Sequence, residues 1–132
     1  MPGIKHIEFW VSNLKRSVPF YKGLFDIIGW EQYDPNGFKC GMTKIYFKEQ
    51  HFPFVKNIGP RHICFEADSK EIVEKVSDFL EVSNAPIIRG PIEYVYKGNT
   101  AYTVDFRDPD GYIIEVATRS HHGRENFQRR GA

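Results

Sequence analysis

Apolar and polar side chains alternate along His6-Ile7-Glu8-Phe9-Trp10-Val11, and the alternation returns in His62-Ile63-Cys64-Phe65-Glu66-Ala67. Successive side chains of a strand point to opposite faces, so each segment reads as a half-buried strand. Ile7, Phe9 and Val11 share one face of the first, and Ile63, Phe65 and Ala67 the equivalent face of the second. His6, Glu8 and Trp10 then line the other face, as do His62, Cys64 and Glu66. The segments match at His, Ile and Phe with an offset of 56 residues, the mark of an internal repeat.

Each strand runs into a helical pattern. After the second, Asp68-Ser69-Lys70-Glu71 has the form of a capping box, and Ile72, Val73, Val76, Phe79 and Leu80 recur at helical spacing, predicting a helix over 69–82. After the first, Leu14, Val18, Tyr21, Phe25 and Ile28 form a similar stripe with Pro19 inside it. Proline lacks an N–H and clashes with the preceding turn, so the expectation is a turn over 13–17 and a helix starting near Pro19, capped by Ser17. Strands are expected at 29–33, 38–41 and 43–49, and again at 86–89, weakly at 92–96, at 100–107 and at 112–118. Asp34-Pro35-Asn36-Gly37 and Asp108-Pro109-Asp110-Gly111 are turns between them. The outcome is an α+β fold of two βαβββ units, 3–50 and 60–118, in one domain over 1–118.

Composition adds limits. At 132 residues the chain suits one domain that buries enough surface to need no disulfide or metal for stability. The net charge of +1 is uneven: residues 119–132 carry +3, leaving −2 on the rest. A slightly acidic body argues against nucleic acid as a partner, and 119–132 reads as a basic, flexible tail. No segment approaches a membrane span, MPGIKHIEF has no apolar signal core, and Cys40 and Cys64 form no CxxC. The expected setting is cytoplasmic, with both thiols reduced.

His6, His62 and Glu115 fall on the non-core faces of predicted strands. Glu115 sits in Tyr112-Ile113-Ile114-Glu115-Val116, where an ionised carboxylate is costly to bury without a partner. A divalent cation held by two imidazoles and one carboxylate would provide one, with positions left open for water or substrate. The competing reading is plainer: a strand His that is merely hydrogen-bonded, and a strand Glu that is salt-bridged or solvated. The repeat favours the metal, since a pseudo-twofold would bring the two His together.

The paired units, the early His of each, Val11-Ser12-Asn13-Leu14-Lys15-Arg16-Ser17 before Phe20-Tyr21, and Phe106-Arg107-Asp108-Pro109-Asp110-Gly111-Tyr112-Ile113-Ile114-Glu115 together resemble the vicinal oxygen chelate superfamily. This group includes glyoxalase I, fosfomycin-modifying thiol transferases, extradiol dioxygenases and bleomycin-resistance proteins, and the resemblance spans about residues 3–118. It implies a glyoxalase-like fold, curved open sheets around a cavity in which a divalent metal (Zn, Fe, Mn, Co or Ni) chelates substrate oxygens. His6, His62 and Glu115 are the implied ligands, shared across a homodimer or set within one chain. Glyoxalase I has a further acid on the last strand of the first unit, where Tyr46 stands here and Glu49 has the wrong parity, with Glu8 another carboxylate that could enter. Little glyoxalase isomerisation is therefore implied. Lyase or thiol-transferase chemistry ranks above dioxygenase chemistry, which calls for a longer chain.

The implied function is a metal-dependent enzyme acting on a small oxygenated metabolite or xenobiotic, with Glu115, Tyr46 and Tyr102 as catalytic candidates. Trp10, Phe38, Lys44, Tyr46, Arg61 and Tyr102 are substrate-binding candidates, the basic ones for an anionic group, although a surface Lys on an edge strand is the commoner case. His51 reads as loop packing, and His121-His122 as part of the tail. The alternative is a non-catalytic binding or sequestering protein of the bleomycin-resistance type, with Trp10, Phe38, Tyr46 and Tyr102 lining an aromatic pocket.

Overall fold

The structure is a computed structural model describing residues 2–51 and 59–122. The first unit comprises β1 (His6–Val11), α1 (Leu14–Ile28), β2 (Glu31–Asp34), β3 (Gly37–Cys40) and β4 (Thr43–Glu49), and its sheet runs β1-β4-β3-β2. The second comprises β5 (His62–Ala67), α2 (Lys70–Val82), β6 (Ile87–Tyr96), β7 (Asn99–Arg107) and β8 (Ile113–Thr118), in the order β5-β8-β7-β6. In each unit the first strand pairs in parallel with the last, while the other neighbours are antiparallel. The repeat extends to burial: Phe9 and Val11 of β1 are buried, as are their counterparts Phe65 and Ala67 of β5.

A single core joins the units. Phe20, Tyr21, Leu24 and Phe25 of α1 pack with Val73, Val76 and Leu80 of α2 and with the inner faces of both sheets. Phe25 meets Phe65 edge-on at 5.3 Å, and Phe20 reaches Phe79 at 5.5 Å. The helices pack closely at Gly23, where any Cβ would run into the Phe79 ring. Because one core serves both inner faces, the faces carrying His6 and His62 turn outward from it.

The Asp-Pro-Asp-Gly turn locks the second unit to the first. Asp108, 4% exposed, accepts from the Tyr21 hydroxyl at 2.5 Å and from the N–H groups of Asp110 and Tyr112, both at 2.9 Å. Asp110 accepts from the Ser12 N–H at 3.0 Å and the Ser12 hydroxyl at 2.5 Å. Burial raises the Asp108 carboxyl above its usual range despite these bonds, and it raises the Tyr21 hydroxyl well above its own.

Three expectations need correction. Asn13, not Ser17, caps α1 by accepting from the Arg16 N–H, and the helix runs through Pro19 without a break. Pro19, the sixth helical residue, forfeits the N–H that would reach Lys15, while Ser17 is buried inside the helix. Ser69, not Asp68, caps α2, which places Glu71 one position short of a capping box. The segments expected at 86–89 and 92–96 are one strand, β6, with irregular pairing around Gly90, whose φ of +94° suits glycine. Of residues 119–132, read as a tail, the structure describes those to His122, where β9 (His121–His122) pairs with Asn99 and Thr100 of β7; the remainder lies outside the described residues.

Candidate metal centre

Parallel pairing of β5 with β8 sets Cys64 against Glu115, and antiparallel pairing continues the row through Asp105 of β7 to Arg89 of β6. These side chains share the outward face of the second sheet, one step along from His62. His62 Nε2 lies 3.1 Å from Glu115 Oε1, and Thr103 Oγ1 donates to Glu115 Oε2 at 2.6 Å. Both carboxylate oxygens are therefore engaged, consistent with a Glu115 side chain only 17% exposed. Arg61 Nη1 is 3.3 Å from His62 Nδ1; guanidinium can only donate, so Nδ1 accepts and neutral His62 carries its proton on Nε2, toward Glu115.

Cys64 is no thiolate here. Desolvation, followed by the nearby Glu115 carboxylate, pushes its thiol up to about 12, so it stays protonated at neutral pH.

The corresponding row of the first sheet sets Glu8 of β1 against Tyr46 of β4, so Tyr46 is the register counterpart of Glu115. Glu8 accepts from Trp10 Nε1 at 2.5 Å and is hydrogen-bonded to Tyr46, which holds its carboxyl below and the phenol above their usual ranges. The ring of His6 lies 5.6 Å from that of Tyr46. Among the described residues no three His, Cys, Asp or Glu side chains converge to hold a metal. One chain thus unites His62 with Glu115 and leaves His6 on the other sheet.

Strand parity corrects two further expectations. Val104 and Phe106 face the core, so Thr103 and Asp105 face outward, and Tyr102 turns to α2, where its hydroxyl lies 3.3 Å from Glu74 Oε2. Phe38 pairs with Ile45 and is 1% exposed in the core, so it lines no ligand pocket. Trp10 and Tyr46 do lie on the outward face of their sheet, and the Lys44 ammonium sits 5.1 Å from the centre of the Tyr33 ring. Glu49 is committed elsewhere: it accepts from the Leu14 N–H at 2.9 Å and lies 3.0 Å from His51 Nε2. The sequence reading missed Thr103, Asp105 and Arg89, although apolar Val104 and Phe106 carried the parity that turns the first two away from the core, Thr103 remaining buried.

Two cavities flank Glu115. One of about 390 Å³ is lined by Arg61, His62, Arg89, Tyr94, Asp105 and Glu115, among others. The other, about 480 Å³, includes Cys64, Glu66, Tyr94 and Glu115. A larger one of about 770 Å³ between the helices and the Asp-Pro-Asp-Gly turn touches none of the candidate residues. Size alone does not outweigh the donor chemistry of the smaller pair.

A family model of the Glyoxalase/Bleomycin resistance protein/Dioxygenase superfamily matches residues 3–116. The chain is 32% identical over 123 residues to metallothiol transferase FosB of Shouchella clausii, spanning 88% of this chain and 80% of that protein. It is 26% identical over 121 residues to virulence protein STM3117 of Salmonella typhimurium, spanning 86% and 82%. A glyoxalase/bleomycin resistance protein from Albidiferax ferrireducens shares the fold with a TM-score of 0.73 at 19% identity, covering 88% of this chain and 98% of that one. Duplicated topology, outward polar rows and a family match over nearly the whole described chain lead to one conclusion: this protein belongs to the glyoxalase/bleomycin resistance protein/dioxygenase superfamily.

Proposed function

We propose that the protein is a divalent-metal-dependent enzyme of the thiol-transferase type, acting on a small oxygenated molecule as a cytoplasmic homodimer. The observation that carries this reading is the His62–Glu115 contact of 3.1 Å on an outward sheet face. An imidazole and a carboxylate in contact suit a borderline divalent cation, and two donors make half of such a site. His6 of a second copy would supply the third. The 32% identity to a metallothiol transferase favours transferase over lyase chemistry.

A divalent metal, when bound, supplies a Lewis acid that stabilises negative charge on a substrate oxygen. The chain's own residues would hold and orient. Thr103 fixes Glu115, the kind of support that sets ligand orientation in metal sites. His62 would ligate once its Nε2 proton is lost or moved to Nδ1, where the Arg61 N–H now donates. Tyr46, hydrogen-bonded to Glu8 on the row that carries His6, is the proton donor to the substrate oxygen when the thiol, having released its proton to solvent, bonds to carbon through sulfur and the carbon–oxygen bond breaks; a proton from solvent then restores Tyr46. Tyr102 has no part, because it faces α2.

The test is metal content and chelator response. Wild-type protein should take up divalent metal, Glu115→Gln should lose most of it, and thiol transfer to an electrophilic epoxide should stop on chelation. Because Tyr46 occupies the place of an acid, glutathione-dependent methylglyoxal isomerisation should be slight with any divalent metal. A second reading, a non-catalytic binding protein, draws on the finding that one chain gathers only two donors. It requires ligand affinity indifferent to chelators.

A further inference from the structure

The cavity of about 770 Å³ between the helices and the Asp-Pro-Asp-Gly turn shares no residue with the two beside Glu115. Much of its lining is apolar: the rings of Phe20 and Phe79, 5.5 Å apart, with Pro19 and Pro86. The Phe79 ring fills the space that a Cβ at Gly23 would need, so it stays lodged against α1. Two guanidinium groups also line the cavity, and their circumstances differ. Arg16 is engaged: its Nη2 donates to the Ser12 hydroxyl at 2.9 Å and pairs with Asp110 at 3.4 Å. Arg107 Nη1 donates to the Gly111 carbonyl at 3.0 Å, and among the described residues Arg107 makes no ion pair with a carboxylate. A guanidinium has five N–H donors, so most of those on Arg107 remain for a ligand. The neighbouring carboxylates do not take them. Asp108 gives its oxygens to the Tyr21 hydroxyl and the N–H groups of Asp110 and Tyr112, and both oxygens of Asp110 are held by Ser12, with Arg16 on one of them.

We propose that this cavity is a second ligand site, which takes a small planar aromatic carboxylate with its ring against Phe20 and Phe79 and its carboxylate on Arg107. The size and the mixture of apolar wall with a few polar groups suit a small organic ligand. Aromatic rings gain from edge or offset contact with one another, and the planar guanidinium fork meets two carboxylate oxygens at once. The two parts depend on each other. An exposed guanidinium–carboxylate pair is worth little alone in water, so the apolar contact supplies most of the affinity and Arg107 selects the charged member of a pair of like shape. The ligand would rest against the turn that ties the units together, through Asp108 to Tyr21 and Asp110 to Ser12. The site stands apart from the metal-centre reading and does not rest on it.

Naphthoate and its neutral counterpart naphthalenemethanol are suitable probes, titrated calorimetrically at constant ionic strength. Naphthoate should saturate at one site per chain and bind about fivefold more tightly than naphthalenemethanol. Arg107→Gln should erase that difference, Arg107→Lys should restore part of it, and Ser83→Trp, which fills the cavity from the end of α2, should weaken both probes. Arg107 and Ser83 are both exposed, so the variants should keep the fold, as unfolding midpoints without probe will check. Glu115→Gln should bind naphthoate as wild type does. Binding that does not saturate, equal affinity for the two probes, or naphthoate affinity unchanged in Arg107→Gln would overturn the site. Loss of naphthoate binding in Glu115→Gln would place the ligand on the outward sheet face and overturn it as well.

Discussion

Asp108 and Glu115 are both shielded carboxylates on the second unit, yet their neighbours assign them opposite duties. Asp108 is enclosed by donors of its own fold, the Tyr21 hydroxyl and two backbone N–H groups. Glu115 has a hydroxyl on one oxygen and an imidazole on the other, at the edge of open cavities. Replacing Asp108 by Ala should cost about 2–4 kcal/mol in urea unfolding, because it strands buried donors. Its pH signature has a definite sign. The folded carboxyl titrates above its unfolded value, so its contribution is fully present below about pH 3.9 and is lost as pH rises through the raised value. Wild type should therefore lose stability relative to Asp108→Asn over that rise, as read by unfolding midpoints at several pH values. At Glu115, Thr103→Val removes the supporting hydroxyl and should weaken metal affinity about 10–100-fold with the fold intact, as measured by competition with a chromogenic chelator. His62 and Glu115 were legible as a pair because each interrupts an apolar alternation. Tyr102 and Phe38 were misread because an aromatic on a strand signals burial or a binding face equally well, and only the neighbours' parity decides.

At the scale of elements, duplication was the most legible feature, since His6-Ile7 and His62-Ile63 open strands with the same burial order. Helix α1 was less so. Pro19 suggested a break, but the hydrogen bonds surrendered are few and the core contacts of Phe20, Tyr21, Leu24 and Phe25 outweigh them. Pro19→Ala should accordingly raise stability by about 1–3 kcal/mol in urea unfolding. No gain would mean that the helix start is held wholly by its ties to Asp110 and Glu49. Strand β6 was misdivided because Gly90 and Pro91 are turn residues by composition, whereas here they form an irregularity in a continuous strand. The cost of a bulge is met by β7, which supplies the pairing on both sides of it.

For the molecule as a whole, the main consequence of the shared core is that its two polar rows look outward. Among the described residues His6 does not join His62 and Glu115 within one chain, and the proposed homodimer would bring the two rows together through its twofold axis. The sequence shows the repeat but not which unit faces which, since that depends on the helix packing at Gly23 and on the tie between Asp108 and Tyr21. Complementation tests the shared site directly. His6→Ala and His62→Ala are purified metal-free, assayed alone, then mixed under conditions that exchange subunits. Each variant alone should bind almost no metal, whereas the mixture should recover about a quarter of wild-type uptake, because half the dimers are mixed and each then holds one intact site. Full metal binding by either variant alone, or no recovery in a mixture shown to contain mixed dimers, would contradict it.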